Sequence, residues 1–448
     1  MKIPAVGLAL LTLLPLAAAS ARAGEVAPPL TLAEALELAA TRSETPAIAA
    51  ARLERAEALR RQAVAALLPA FTVTGTYTRR PDEVVREIGG EEVTVQAIDA
   101  LSGQAVAETV LFDLRALPLL RAATRGVEAQ RLESDELRRA LAFDVATGFL
   151  TVLSAERLRD ATAERVRVAA VTSDEARARL EAGLAGRNDV TRTELELATA
   201  RLTETRAVRD VSIARFALAY LVGAPVETRP LALPDDFEHS ELDLEALTAR
   251  ALAHRGELAA LAERAEQARQ LAIAPRYGIL PRFDARGTYR WTNESGLSGN
   301  ETDWNFAVGL TWEIWDGGSR AALAAQLDAE AREAELTLEQ SRRQVALEVA
   351  EAATAAATAE AAVEQAGVRS EVARDNAVEV RERFSNGLAT ALEQADAQVE
   401  QFEADAELVR QRYARAVARL ALGRAVGDWP PGARPTSATP PNPEAQTP

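Results

Sequence analysis

Side chains that could do acid–base, nucleophilic or metal chemistry are sparse in this chain of 448 residues, and their spacing builds no reactive constellation. His239 and His254 are the only histidines, and no His-Glu spacing of a metalloenzyme accompanies them, so both read as surface residues rather than ligands. Cysteine is absent. That excludes a disulfide framework, a thiolate metal site and a lipid-anchored N-terminal cysteine. Nucleophile elbows and phosphate-cradling glycine loops are missing as well. The expectation is a protein that is not an enzyme and that needs neither cofactor nor metal.

The rest of the sequence must then build a surface or a conduit. A hydrophobic fraction of 48% is enough to bury large interfaces and excludes a disordered chain. Residues 1–23 read as a secretory signal peptide: Lys2 supplies the positive start, Val6 to Ala19 the apolar stretch and Ala21-Arg22-Ala23 the cleavage site. The mature chain is expected to begin at Gly24. An anchored helix fits less well, because Pro15 interrupts a short run and polar sequence follows. No later stretch is apolar enough to cross a bilayer as a helix, so any membrane insertion has to use strands. The formal charge of −16 falls to −18 without Lys2 and Arg22, which argues against nucleic acid as a partner.

An internal repeat organises the chain. Leu67 to Tyr77, LLPAFTVTGTY, returns as ILPRFDARGTY at Ile279 to Tyr289, with Pro69, Phe71, Gly75, Thr76 and Tyr77 falling on Pro281, Phe283, Gly287, Thr288 and Tyr289. Arg177, Gly183 and Leu184 recur as Arg381, Gly387 and Leu388 at a shorter offset, so a loop of variable length lies between the strand pairs. These matches divide the mature chain into a first repeat at 24–224, a linker at 225–241 marked by Pro225, Pro230 and Pro234, and a second repeat at 242–427. From Asp428 to Pro448 the proline-rich sequence reads as a disordered tail.

Each repeat carries strand signals. In Trp304 to Trp315 the residues Trp304, Phe306, Val308, Leu310, Trp312 and Ile314 alternate with Asn305, Gly309, Thr311 and Glu313. Phe283 to Thr292 alternates in the same way, and Phe71 to Thr78 sets Phe, Val, Gly and Tyr against four threonines. The fourth strand, near Gln104 to Phe112, is the least clear, since Glu108 interrupts its apolar row. Such strands fit a barrel wall with lipid on one side and water on the other, in which Tyr77, Tyr289, Trp291, Trp304 and Trp312 would form aromatic belts. They also fit a half-buried sheet of a soluble domain. Four strands cannot close a barrel alone, whereas three copies would supply twelve.

Long helices follow the strands. No proline occurs from Leu119 to Ala224 or from Arg282 to Trp429. Ser319 to Ser385 as one helix of 67 residues would reach about 100 Å at about 1.5 Å per residue. Ala324, Ala331, Leu338, Val345, Ala352, Ala359, Ala366, Ala373 and Val380 recur every seventh position, a coiled-coil pattern with residues small enough for close approach. Gly183 and Gly387 offer helix stops after which helix-forming sequence resumes, so each repeat should end in an antiparallel hairpin with its tip at that glycine.

Taken together, the LPxFxxxGxY strand in both halves, the exits Leu111-Phe112-Asp113 and Ile314-Trp315-Asp316-Gly317-Gly318, and the tips AGLAGRNDV and NGLATALEQADAQ resemble the TolC-type outer-membrane efflux proteins over nearly all of the mature length. The resemblance implies a mixed α and β fold. Long coiled-coil hairpins would form a periplasmic α-barrel, and four strands per chain would contribute to a trimeric twelve-stranded transmembrane β-barrel in the outer membrane of a Gram-negative bacterium. It implies a passive exit duct of tripartite efflux or type I secretion, with a homotrimeric assembly, a periplasmic adaptor, an inner-membrane pump and outer-membrane lipid as partners. By the same resemblance Gly183, Leu184, Gly387 and Leu388 would dock the adaptor. Glu393 and Asp396 match acidic positions at the periplasmic entrance, and three residues apart on a helix they share a face, so a threefold axis would gather six carboxylates that attract cations. Asp189 is their first-half counterpart. Phe384 stands where a tyrosine gate residue is common, and Ala389 where an arginine often sits. The competing expectation is a soluble periplasmic coiled-coil adaptor or scaffold, which the alternating strands disfavour.

Overall fold

A computed structural model describes residues 28–88, 90–232, 243–294 and 300–433; the signal segment, most of the linker with His239, and the tail beyond 433 lie outside the described residues. The first half runs α1 (Leu32–Arg42), α2 (Glu44–Ala65), β1 (Ala70–Arg79), β2 (Val84–Ile88), β3 (Glu91–Gln96), β4 (Asp99–Phe112), α3 (Ala116–Glu181) and α4 (Arg187–Val222). The second runs α5 (Leu244–His254), α6 (Gly256–Ile273), a 3-10 turn (Ala274–Ile279), β5 (Arg282–Thr292), β6 (Thr302–Thr311), α7 (Ser319–Ser385) and α8 (Ala391–Val426).

With no proline past its first turn, α3 continues unbroken for 66 residues, and α7 for 67, each about 100 Å long. Their 36-residue partners α4 and α8 fold back against them. All nine seventh-position residues of α7 are buried or half-buried, and Val349, Ala353, Ala356, Ser370 and Ala377 complete the buried seam. Alanine at so many of these positions lets the backbones approach closely and leaves a thin wall rather than a thick core. In that wall α3 lies between α4 and α8, and α8 lies between α3 and α7.

The largest apolar cluster sits midway, where α1 crosses the hairpins. Val145, Phe149, Leu150 and Val152 of α3 pack there with Leu218 and Val222 of α4, Leu36 of α1 and Leu420 of α8. Trp429 packs on the same cluster, and Asp428 binds Arg250 at 2.5 Å. The stretch from Asp428 to Ala433, expected as the start of a free tail, is therefore anchored. Arg139 fixes it further, its Nη1 donating to the carbonyls of Arg424 at 3.0 Å and Asp428 at 3.2 Å.

Four strands form one antiparallel sheet in the order β1-β4-β5-β6, so the central pairing joins the two halves of the chain. β2 and β3 form a separate hairpin in the loop between β1 and β4. That hairpin is the extra length behind the changing repeat offset, and Gly89-Gly90 between the short β-branched runs Val84-Val85 and Val93-Thr94-Val95 is its signal in the sequence. Two strand limits differ from expectation. β4 begins at Asp99, and β6 stops at Thr311, because the Trp312 indole turns to donate to the Ile279 carbonyl at 3.0 Å and Gly317 and Gly318 take positive φ just beyond.

Candidate functional site

Two features could act on a solute or a partner: the hairpin tips and the two faces of the sheet. At the first tip α3 ends in a glycine-based stop. Gly183 has φ 73°, its N–H donates to the Leu180 carbonyl at 3.0 Å, and the Leu184 N–H donates to Arg179 at 2.8 Å. The second tip repeats this atom for atom: Gly387 has φ 74°, donating to Phe384 at 3.1 Å, and Leu388 donates to Arg383 at 2.7 Å. In such a stop the apolar residue after the glycine usually folds back onto the preceding turn. Here that turn presents arginines, and Leu184 and Leu388 stay 80% and 71% exposed.

The acidic residues beyond the tips are built into the helix starts. Thr390 and Glu393 form a capping box on α8: the Thr390 N–H donates to Glu393 Oε2 at 2.7 Å and the Glu393 N–H donates to Thr390 Oγ1 at 3.2 Å. These bonds from the Thr390 backbone and hydroxyl, with a weaker pull from Arg383, hold the Glu393 carboxyl below the ordinary glutamate value. Asp189 occupies the same position on α4, accepting from the Gly186 N–H at 2.9 Å. Asp396 lies one turn further along α8 and is exposed. Phe384 is half-buried, with the guanidinium of Arg179 stacked 4.0 Å from its ring centroid. The two hairpins are thus brought together at their tips by a contact that sequence reasoning missed. Arg179 and Phe384 lie 205 positions apart, one in each copy of the repeated tip, and neither copy shows in its sequence that the two side chains meet. Among the described residues no His, Cys, Asp and Glu cluster could hold a metal.

The sheet has one apolar and one polar face. Register places Val73 beside Ala105, Ala105 beside Tyr289, and Tyr289 beside Trp304; Tyr77, Trp291, Phe306 and Val308 share that face. It is open to the outside, with Phe71 80% and Trp304 75% exposed. Toward the helices it is bordered by Phe112, Phe283 and Leu310, with Trp312 and Trp315 exposed just past β6. The opposite face carries Thr72, Thr74, Thr76 and Thr78 on β1, and Glu108 of β4 paired with Arg286 of β5 at 3.0 Å. Glu108 does not interrupt an apolar row; it belongs to the polar one. Both outer edges of the sheet, β1 and β6, lack a strand partner among the described residues. No described helix is long and apolar enough to cross a membrane.

A sheet with one exposed apolar face, continued by hairpins about 100 Å long, defines a wall segment of a strand-based membrane channel. The chain belongs to the outer membrane efflux protein family, whose sequence profile matches residues 35–224 and 247–428. Its fold is that of solved outer-membrane channels. The Campylobacter jejuni CmeC channel superposes with a TM-score of 0.76 at 16% identity, over 88% of this chain and 85% of that one. VceC of Vibrio cholerae gives 0.75 at 19% identity over 89% and 96%, and the Neisseria gonorrhoeae MtrE channel in its open state 0.71 at 19% over 89% of each. No curated protein sequence matches the chain significantly. The protein is accordingly an outer-membrane channel subunit of tripartite efflux, its helical tunnel projecting into the periplasm. Proteins of this family are channels, not enzymes, and work with adaptors and inner-membrane pumps.

Proposed function

We propose that three copies close into one duct, with a twelve-stranded barrel in the outer membrane and a twelve-helix tunnel below it. The observation that carries this reading is that both layers end in unpartnered edges. β1 and β6 leave rows of backbone donors and acceptors open, which lipid cannot satisfy. The outer helices of the wall match them: α4 exposes Ile213, Phe216 and Tyr220, and α7 exposes Leu336, Leu347, Val368 and Val372. One edge of a copy meets the other edge of the next, and such head-to-tail contacts close into a ring when the rotation allows.

In the duct the apolar sheet face meets lipid, with Tyr77, Tyr289, Trp291 and Trp304 in the outer aromatic belt and Trp312 in the inner one. The threonines and the Glu108–Arg286 pair face the water-filled lumen. Leu184 and Leu388, presented by Gly183 and Gly387, dock the periplasmic adaptor, which couples the duct to an inner-membrane pump. Glu393 and Asp396 from three copies ring the entrance and favour cations, with Asp189 and Phe384 beside them. The test is fractionation of cells expressing the full chain. Outer-membrane fractions should contain a trimer in unheated electrophoresis samples that collapses to one chain on boiling; a soluble periplasmic monomer would contradict the reading.

A further inference from the structure

Six charged residues stand on the polar face of the four-stranded sheet: Glu108 on β4, Arg282, Asp284, Arg286 and Arg290 on β5, and Asp303 on β6. β1 adds no charge to that face, only its four threonines. Three of the six are basic and three acidic, so the face is neutral in a chain whose formal charge is −16. Each charge also has an opposite one beside it. Arg286 Nε lies 3.0 Å from Glu108, Arg290 lies 3.9 Å from Asp303, and Arg282 lies 3.9 Å from Asp284. Gly309, opposite Asp284, leaves room for that carboxylate, since a Cβ there would come within 2.9 Å of its Oδ2. All six side chains are 38% to 63% exposed and reach out from the sheet. Pairs this exposed add little to stability, so their arrangement matters for the potential they leave in the space above the face.

In the duct proposed above that space is the lumen of the barrel. A lumen lined by one sign of charge favours solutes of the other sign, whereas a wall balanced pair by pair favours neither. We propose that these pairs make the barrel section indifferent to the sign of a solute's charge, with Glu108 and Arg286 as the residues that set the balance. Cationic, anionic and zwitterionic solutes then leave through it alike. The Glu108–Arg286 pair is the shortest of the three, and it joins β4 to β5, where the two halves of the chain meet in the middle of the sheet. Removing one partner leaves three unbalanced charges of the other sign around a lumen closed by three copies. A cation preference imposed at the periplasmic entrance by Glu393 and Asp396 is neither strengthened nor opposed further out. The inference rests on the reading that three copies close with the polar face inward, and it adds which residues decide what the barrel section lets through.

The experiment uses the full-length protein in planar bilayers. Since the chain has no cysteine, Val106→Cys supplies one thiol per copy on the polar face, two residues from Glu108 and diagonal to Arg286 in the register, about 7 Å from each. Its reaction with a cationic and an anionic thiosulfonate, added from the extracellular side, reads the local potential, each rate being divided by that of the same reagent with a free thiol. The two corrected rates should be alike in the Val106→Cys protein. Adding Arg286→Gln should favour the cationic reagent and adding Glu108→Gln the anionic one, by roughly 2- to 7-fold, the factor for a unit charge about 7 Å away in water with and without salt screening. Both substitutions together should restore equal rates. Reversal potentials in a salt gradient should shift with the same signs, toward the cation for Arg286→Gln and toward the anion for Glu108→Gln. Conducting trimers whose rate ratio ignores either substitution, or shifts the same way with both, would overturn the proposal. If a glutamine disrupts the trimer, the swapped pair Glu108→Arg with Arg286→Glu provides the second arm: equal rates support the balance, and a preference for either reagent overturns it. A chain that forms no trimer in outer membranes contradicts the duct reading, whereas a conducting trimer with an unchanged rate ratio contradicts the charge balance alone.

Discussion

Glu393 holds two roles that a single substitution would confuse. Its carboxylate closes the capping box at the start of α8, and its charge belongs to the proposed entrance ring. Glutamine can serve in a capping box but carries no charge. Glu393→Gln should therefore lower cation preference in single-channel recordings while leaving amide exchange in the first turn of α8 unchanged; Glu393→Ala should lower preference and speed that exchange as well. Equal behaviour of the two variants in both measurements would separate Glu393 from one of its roles. The pH dependence has a definite sign. Because the folded-state pKa lies below the ordinary value of 4.5, the cap's contribution is complete above that value and is lost as pH falls through the lower folded-state one. The cap was legible as Thr390-x-x-Glu393, but the family resemblance drew attention to the charge instead. The Arg179–Phe384 stack was not legible at all, since it depends on which faces of α3 and α7 meet across 205 positions of chain.

At the scale of elements the strands show what alternation can and cannot reveal. β5 reads cleanly because Phe283, Tyr289 and Trp291 contrast with Asp284, Arg286 and Arg290. β4 does not, because small residues, Gly103, Ala105 and Ala107, occupy its apolar face while Val106 and Val110 sit on the polar one. Only pairing with the better-marked neighbours reveals which face is which. The helices were legible through missing prolines and the seven-residue spacing, yet their packing strength is uneven. Most of the seam is alanine, and large buried side chains concentrate where α1 crosses α3 and α4. Phe149, with no exposed surface, lies at that crossing. Phe149→Ala should cost about 3–5 kcal/mol, measured as a shift in the denaturant midpoint of the detergent-solubilised protein. A loss below about 1 kcal/mol would mean that the crossing does not anchor the wall.

For the whole molecule, the duplicated unit explains both the fold and its incompleteness. Two strand pairs and two hairpins lie side by side; the sheet stops at strand edges that lipid cannot satisfy, and the helical wall at edges with exposed apolar side chains. Duplication was plain from the recurrence of Leu67–Tyr77 at Ile279–Tyr289, because the same proline, aromatic and glycine positions lead into and line the first strand of each copy. The number of copies in the ring was not, because closure depends on strand tilt and on contacts between chains. The whole duct depends on that number, and cross-linking between edge strands reads it out. Cysteine in place of Thr74 on β1, combined in turn with cysteines along β6, should give a covalent ladder of one, two and three chains in outer membranes and nothing larger. A ladder running past three chains, or no cross-link at any β6 position in a folded, membrane-inserted protein, would contradict a duct closed by three copies edge to edge.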